Sequence, residues 1–168
     1  MLSITLLFLV LGSAKRPEPL YSCGCCTPEH REFDFWIGEW EVYGPQNKLA
    51  GTSNIVFIQD SCALQENWES ANGELKGASY NYYSAPDKKW HRIWVDNEGC
   101  NLELTGGAMN GKMVLQSSAG RNGKNEMIQD RITWTPNADG TVRQHWEQSP
   151  DGGATWKTLF DGLYKKKR

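Results

Sequence analysis

The sequence has no apolar run long enough to cross a bilayer as a helix, which takes about 20 residues. Its one long run, residues 2–11, stops after ten. No basic stripe is present, which argues against nucleic acid as a partner. No Gly-x-Ser-x-Gly elbow, phosphate-cradling glycine loop or EF-hand calcium loop occurs, so the commonest hydrolase, nucleotide and calcium signatures are missing. Helical periodicity is also scarce. Histidine is limited to His30, His91 and His145. Any of these has the chemistry to ligate haem or act as a base, but a surface or hydrogen-bonded histidine is the commoner case. No cofactor is implied.

Aromatic residues and turn formers are what the 168 residues do contain: eight Trp, six Tyr, five Phe, 17 Gly and seven Pro. The formal charge is −2, and the basic run Lys165-Lys166-Lys167-Arg168 masks a body of −6. That run reads as a solvated end. Residues 2–11 followed by Gly12-Ser13-Ala14 have the form of a signal peptide, with cleavage after Ala14. The expected organisation is a signal peptide at 1–14, a cysteine-containing linker at 15–26 and one domain at 27–168, secreted or periplasmic.

Thr27-Pro28-Glu29-His30 opens a short helix, with Thr27 as cap and Pro28 in the first turn, ending near Asp34. Beyond it, strands are expected at 36–43, 51–59, 62–70, 75–83, 89–96, 100–105, 111–118, 126–135, 141–149 and 154–164. Turn residues such as Asn97-Glu98-Gly99, Asn110-Gly111 and Asp139-Gly140 separate them. So many short strands without intervening helices predict an all-β antiparallel barrel of about 8–10 strands.

Read with a period of two, several strands carry a polar residue inside an apolar face. Glu66 stands between Leu64 and Trp68, Arg92 between Trp90 and Trp94, and Gln144 between Val142 and Trp146. The candidate ligand-binding set is Glu66, Trp68, Tyr82, Arg92, Trp94, Gln144 and Trp146. On this reading Arg92 grips a carboxylate through a bidentate pair and Glu66 orients it. The competing reading is a filled barrel in which Glu66 and Arg92 only compensate one another. A one-residue slip would exchange inside and outside.

The segment Phe33-Asp34-Phe35-Trp36-Ile37-Gly38-Glu39-Trp40 resembles the opening of an uncharacterised family of exported bacterial proteins with a lipocalin-like, calycin-type barrel. Cys26-Thr27-Pro28-Glu29-His30-Arg31, Trp90-His91-x-x-Trp94-Val95-Asp96 and Val142-Arg143-Gln144-x-Trp146-Glu147 extend the likeness. It implies a barrel plugged by an N-terminal helix and carries no catalytic residues. Gly38-Glu39-Trp40 also matches the Gly-x-Trp that lipocalins place at the closed end. Ser149-Pro150-Asp151-Gly152-Gly153-Ala154-Thr155-Trp156 looks like an Asp-box, and a single copy points to a structural hairpin.

Cys23, Cys25, Cys26, Cys62 and Cys100 make an odd count. Zinc would accept Cys23, Cys25, Cys26 and His30, but export favours disulfides and vicinal cysteines suit a closed tetrahedral site poorly. The expected bridge is Cys26–Cys62, with Cys100 unpaired. The functional expectation is a barrel that binds a small apolar or amphiphilic molecule. The alternatives are an isomerase or hydrolase using polar groups of the lumen, or a structural module with a filled barrel. The sequence leaves the oligomeric state open.

Overall fold

Among the described residues, eleven strands, all antiparallel to their neighbours, follow two short 3₁₀ turns at Pro28–Arg31 and Asp34–Trp36. A computed structural model describes residues 23–123 and 125–167. The expected signal peptide and residues 15–22 of the linker lie outside the described residues. The strands are β1 (Gly38–Tyr43), β2 (Leu49–Ile58), β3 (Ala63–Ser70), β4 (Lys76–Ser84), β5 (Lys89–Asp96), β6 (Asn101–Met109), β7 (Lys112–Gln116), β8 (Gly120–Arg121), β9 (Met127–Pro136), β10 (Val142–Ser149) and β11 (Lys157–Lys166). Each of ten strands pairs with the next around a ring that closes where β11 meets β1. Among the described residues, two-residue β8 pairs only with β9. Closure leaves no long exposed edge. The expected all-β barrel is therefore the architecture found.

Alternation along the strands sends one set of side chains inward. On β5 these are Trp90 and Arg92, both buried, and Trp94, half-buried. On β9 they are Asp130, Ile132 and Trp134. Asn110 and Gly111, both at positive φ, make the two-residue turn between β6 and β7.

The N-terminal 3₁₀ turns close one end. Phe33 and Trp36 are fully buried and stack with centroids 5.0 Å apart. Phe33 also meets Trp134 edge-on at 5.1 Å and Trp90 at 5.6 Å. Trp40 donates its indole N–H to the Trp36 carbonyl at 2.9 Å, so the Gly-x-Trp tryptophan seals this floor. Thr27 does not cap the backbone of the first turn; its hydroxyl is hydrogen bonded to His30 Nδ1 at 2.8 Å.

The basic C-terminal run is solvated, with Lys166 and Lys167 exposed, and its first two lysines are also built into the last strand. Lys165 and Lys166 belong to β11, opposite Glu41 and Trp40. Their ammonium groups lie 4.3 Å from the Tyr43 ring centroid and 4.1 Å from that of Trp40. Cation–π contact and pairing with β1 extend the last strand past the expected end at 164. Gly38 has φ +137°, a backbone conformation that side chains rarely adopt, which explains glycine there.

The cysteine pairing is also corrected. Cys62 is bonded to Cys25, with Cα atoms 5.0 Å apart, and Cys26 is bonded to Cys23 at 5.4 Å. Adjacent residues direct their side chains differently. Cys25 therefore reaches the turn between β2 and β3, while Cys26 folds back on its own segment. The cross-link still ties the N-terminal plug to the barrel. Cys100 is the free, exposed cysteine among the described residues.

The Asp-box is a hairpin turn joining β10 to β11. Asp151 accepts hydrogen bonds from the Thr155 amide at 2.8 Å, the Thr155 hydroxyl at 2.6 Å and the Ser149 hydroxyl at 2.8 Å. The Thr155 hydroxyl, then the Thr155 amide and Ser149, hold the Asp151 carboxyl down to about 2, from 3.8. A depressed carboxylate stabilises the fold above its unfolded value and loses that contribution as pH falls through the folded one. The Thr155 amide resonance of the folded protein is therefore expected to titrate with a midpoint of about pH 2, and Asp151→Asn should abolish that titration.

Candidate functional site

Register brings the polar centre of the barrel together from four neighbouring strands. Glu66 on β3 stands opposite Ser79 on β4, and Asn81 on β4 opposite Arg92 on β5. Glu66 and Arg92 are 2 % and 4 % exposed and form an ion pair at 2.9 Å. Ser53 on β2 donates to one oxygen of Glu66 at 3.0 Å, and Ser79 to the other at 3.0 Å. Arg92 Nη1 donates to Ser79 Oγ at 2.6 Å and to Asn81 Oδ1 at 3.1 Å. Asn81 also donates to Ser79 Oγ at 3.0 Å. The Ser79 hydroxyl thus gives one hydrogen bond and accepts two, its full capacity. Indole rings of Trp134, Trp36 and Trp94 surround the guanidinium at 5.3, 5.6 and 5.6 Å.

A cavity of about 220 Å³ lies on the side of this network away from the plug. Glu66, Arg92, Gln144 and Tyr164 contribute to its lining at one level. Trp68, Trp94, Trp146 and Phe160, each two to four residues further along its strand, make an aromatic wall. Leu75 and half-exposed Leu159 stand at the rim. A larger open depression of about 560 Å³ is bordered by Glu39, Asn54, Asn67, Lys76 and Asp96. The interior cavity is the better candidate because buried polar groups converge on apolar walls there.

Two groups of the lining keep unused hydrogen-bond donors. The Arg92 Nε–H has no partner among the described residues. Tyr164 Oη donates to Gln144 Oε1, and no other side-chain hydrogen bond of Gln144 is found among the described residues. Burial, then the nearby Glu66 charge, push the Tyr164 hydroxyl well above its ordinary pKa, so it stays protonated and donates. Gln144 is left with its amide N–H₂.

The walls are positioned from behind. Trp146 donates its indole N–H to buried Asp130 at 2.8 Å. Trp94 donates to Asp96 at 3.1 Å and lies over Gly77, where a Cβ would collide with the indole. Gly51 similarly makes room for Trp68, although a Cβ there would also strike the Glu69 carbonyl. At Gly77 the three nearest heavy atoms all belong to the Trp94 side chain. Gly77→Ala is therefore expected to fold with Trp94 displaced toward the cavity, at an overpacking cost of about 1–3 kcal/mol in a denaturation experiment. Trp94 unmoved in a crystal structure of that variant would contradict this packing.

Six of the seven residues expected to bind ligand, Glu66, Trp68, Arg92, Trp94, Gln144 and Trp146, line this one cavity. Tyr82 does not. It is 44 % exposed on the outer face and stacks on His91 at 5.1 Å. The reason is a reversal of the usual order on β4, where Ser79 and Asn81 face inward to satisfy Glu66 and Arg92, putting Tyr80 and Tyr82 outside. The expected bidentate grip of Arg92 on a ligand carboxylate is also revised, because Glu66, Ser79 and Asn81 already occupy its fork. None of the histidines lines the cavity. His91 is bound to Asp87 at 2.8 Å, and His145 to Thr158 at 2.9 Å.

Sequence reasoning missed Ser53, Ser79, Asn81, Asp130, Phe160 and Tyr164. A signal for the last two was present, because Phe160, Gly162 and Tyr164 alternate on β11 as Trp90, Arg92 and Trp94 do on β5. The chain matches no known family profile and no curated protein sequence. Fold and site define its class: an antiparallel ten-stranded barrel, plugged at one end, with an aromatic-walled cavity over a buried ion pair.

Proposed function

We propose that this is an exported protein that binds a small apolar or amphiphilic molecule inside its barrel. One observation carries the reading: four aromatic side chains and a layer of polar groups enclose an interior cavity of about 220 Å³. That volume exceeds the roughly 150 Å³ cavity that accepts benzene. It falls below the roughly 300–1,000 Å³ of sites for drug-sized ligands. A single ring or a short branched chain fits, and a long acyl chain does not. Export is supported by the two disulfides, which persist in oxidising compartments. Kinship with the exported lipocalin-like family belongs to the same proposal, on the strength of Phe33–Trp40.

Binding is favoured over catalysis by the engagement of Glu66. Its oxygens already accept from Ser53, Ser79 and Arg92, as suits a positioning role better than that of a general base. Native mass spectrometry of protein purified from its own host tests the proposal. One small molecule retained per chain, with tryptophan fluorescence saturating on its re-addition, is the expected result. A consistently empty barrel that also fails to respond to any one-ring compound would overturn it.

A further inference from the structure

We infer that the cavity selects an uncharged ligand bearing a hydrogen-bond acceptor, such as an aryl or short-chain ketone, and rejects carboxylic acids and amines of the same size. This deepens the binding proposal and rests on it.

Charge and hydrogen-bond supply set the selectivity. A lone buried arginine would attract a carboxylate. Here Glu66 lines the same cavity and lies 2.9 Å from Arg92, so the polar level is neutral as a pair. An incoming carboxylate would gain from Arg92 but meet Glu66, and an ammonium would meet the converse. Each ion would also lose its hydration among indoles, with no counter-charge left to replace it. A neutral molecule avoids both costs.

The donors decide what kind of neutral molecule. Gln144, which lines the cavity, keeps its N–H₂, whereas the unpartnered Arg92 Nε–H is buried out of reach of a ligand. The amide nitrogen donates and cannot accept. A carbonyl oxygen that takes the Gln144 N–H₂ makes a hydrogen bond that a pure hydrocarbon cannot, so it is favoured. The Glu66 oxygens, the obvious acceptors, already receive three hydrogen bonds. A ligand that only donates is matched poorly. The aromatic wall of Trp68, Trp94 and Trp146 then covers the ring or branched chain.

A matched series of one-ring probes tests this on the full protein by calorimetry and tryptophan fluorescence: acetophenone, ethylbenzene, benzoate and benzylammonium. Acetophenone is expected to bind one per chain, at least about tenfold more tightly than each of the other three. Benzoate binding as tightly as acetophenone, or more tightly, would overturn the inference and leave the binding proposal standing. Ethylbenzene equal to acetophenone would remove the acceptor requirement. Failure of all four to bind would overturn the binding proposal itself. Glu66→Gln removes the repelling charge, and in folded variant protein benzoate should gain about tenfold relative to acetophenone. An unchanged ratio would show that Glu66 does not set the selectivity. The wild-type series decides the question if that variant does not fold.

Discussion

Arg92→Ala is expected to destabilise the barrel by about 3–5 kcal/mol, the cost of leaving one member of a buried ion pair alone. Glu66 is 2 % exposed and would retain only the Ser53 and Ser79 hydroxyls. Asn81 would lose the donor to its carbonyl oxygen, and the indoles of Trp36, Trp94 and Trp134 would lose the cation they surround. The effect belongs to the stranded charge more than to the pair. A double variant, Glu66→Leu with Arg92→Met, is accordingly expected to recover much of the loss, because apolar groups of similar size often replace a buried pair without net cost. Guanidinium unfolding of the two variants beside wild type measures both values. A cost under about 1 kcal/mol for Arg92→Ala would mean that water reaches the pair and that the barrel centre is not the dry layer described.

Removing the Cys25–Cys62 bridge as the double serine variant is expected to cost about 4 kcal/mol, from the loop entropy of a cross-link spanning 37 residues. Removing Cys23–Cys26, which spans three, should cost roughly 2 kcal/mol by the same relation. The larger bridge also fixes a difficult piece of backbone. Gln59, Asp60 and Ser61, just before Cys62, all have positive φ, a conformation that side chains disfavour. Arg31, from the plug, donates to the Ser61 carbonyl and lies 5.0 Å from the Phe57 ring centroid. Unfolding of each variant under non-reducing conditions checks the order of the two effects. Equal costs would show that the plug is held by its aromatic packing and not by the cross-link.

The alternation of Leu64, Glu66 and Trp68, and of Trp90, Arg92 and Trp94, points to a shared face and a charged pair from sequence, and leaves open whether that face is the barrel interior. A charge set between two large apolar residues at a spacing of two shares their buried face, and burial demands a partner of opposite sign. The same rule misleads on β4. Ser79 and Asn81 look like an outer face and Tyr80 and Tyr82 like an inner one, and the demands of Glu66 and Arg92 reverse them. Such a reversal depends on partners from other strands, and a period read within one strand cannot contain it. Asp130 was illegible for the same reason, since its meaning lies in the Trp146 indole across the β9–β10 pair. The cysteine pairing turned on the direction of two adjacent side chains, and sequence spacing cannot distinguish neighbours. Lys165 and Lys166 read as a solvated end, and the sequence does not show that they also lie over Tyr43 and Trp40.

A crystal structure of the protein grown with acetophenone tests the hollow interior most directly. The ring should lie against Trp94 and Trp146, with its oxygen within hydrogen-bonding distance of the Gln144 amide nitrogen. A lumen filled by protein side chains, with the probe only on the outer surface, would contradict the account.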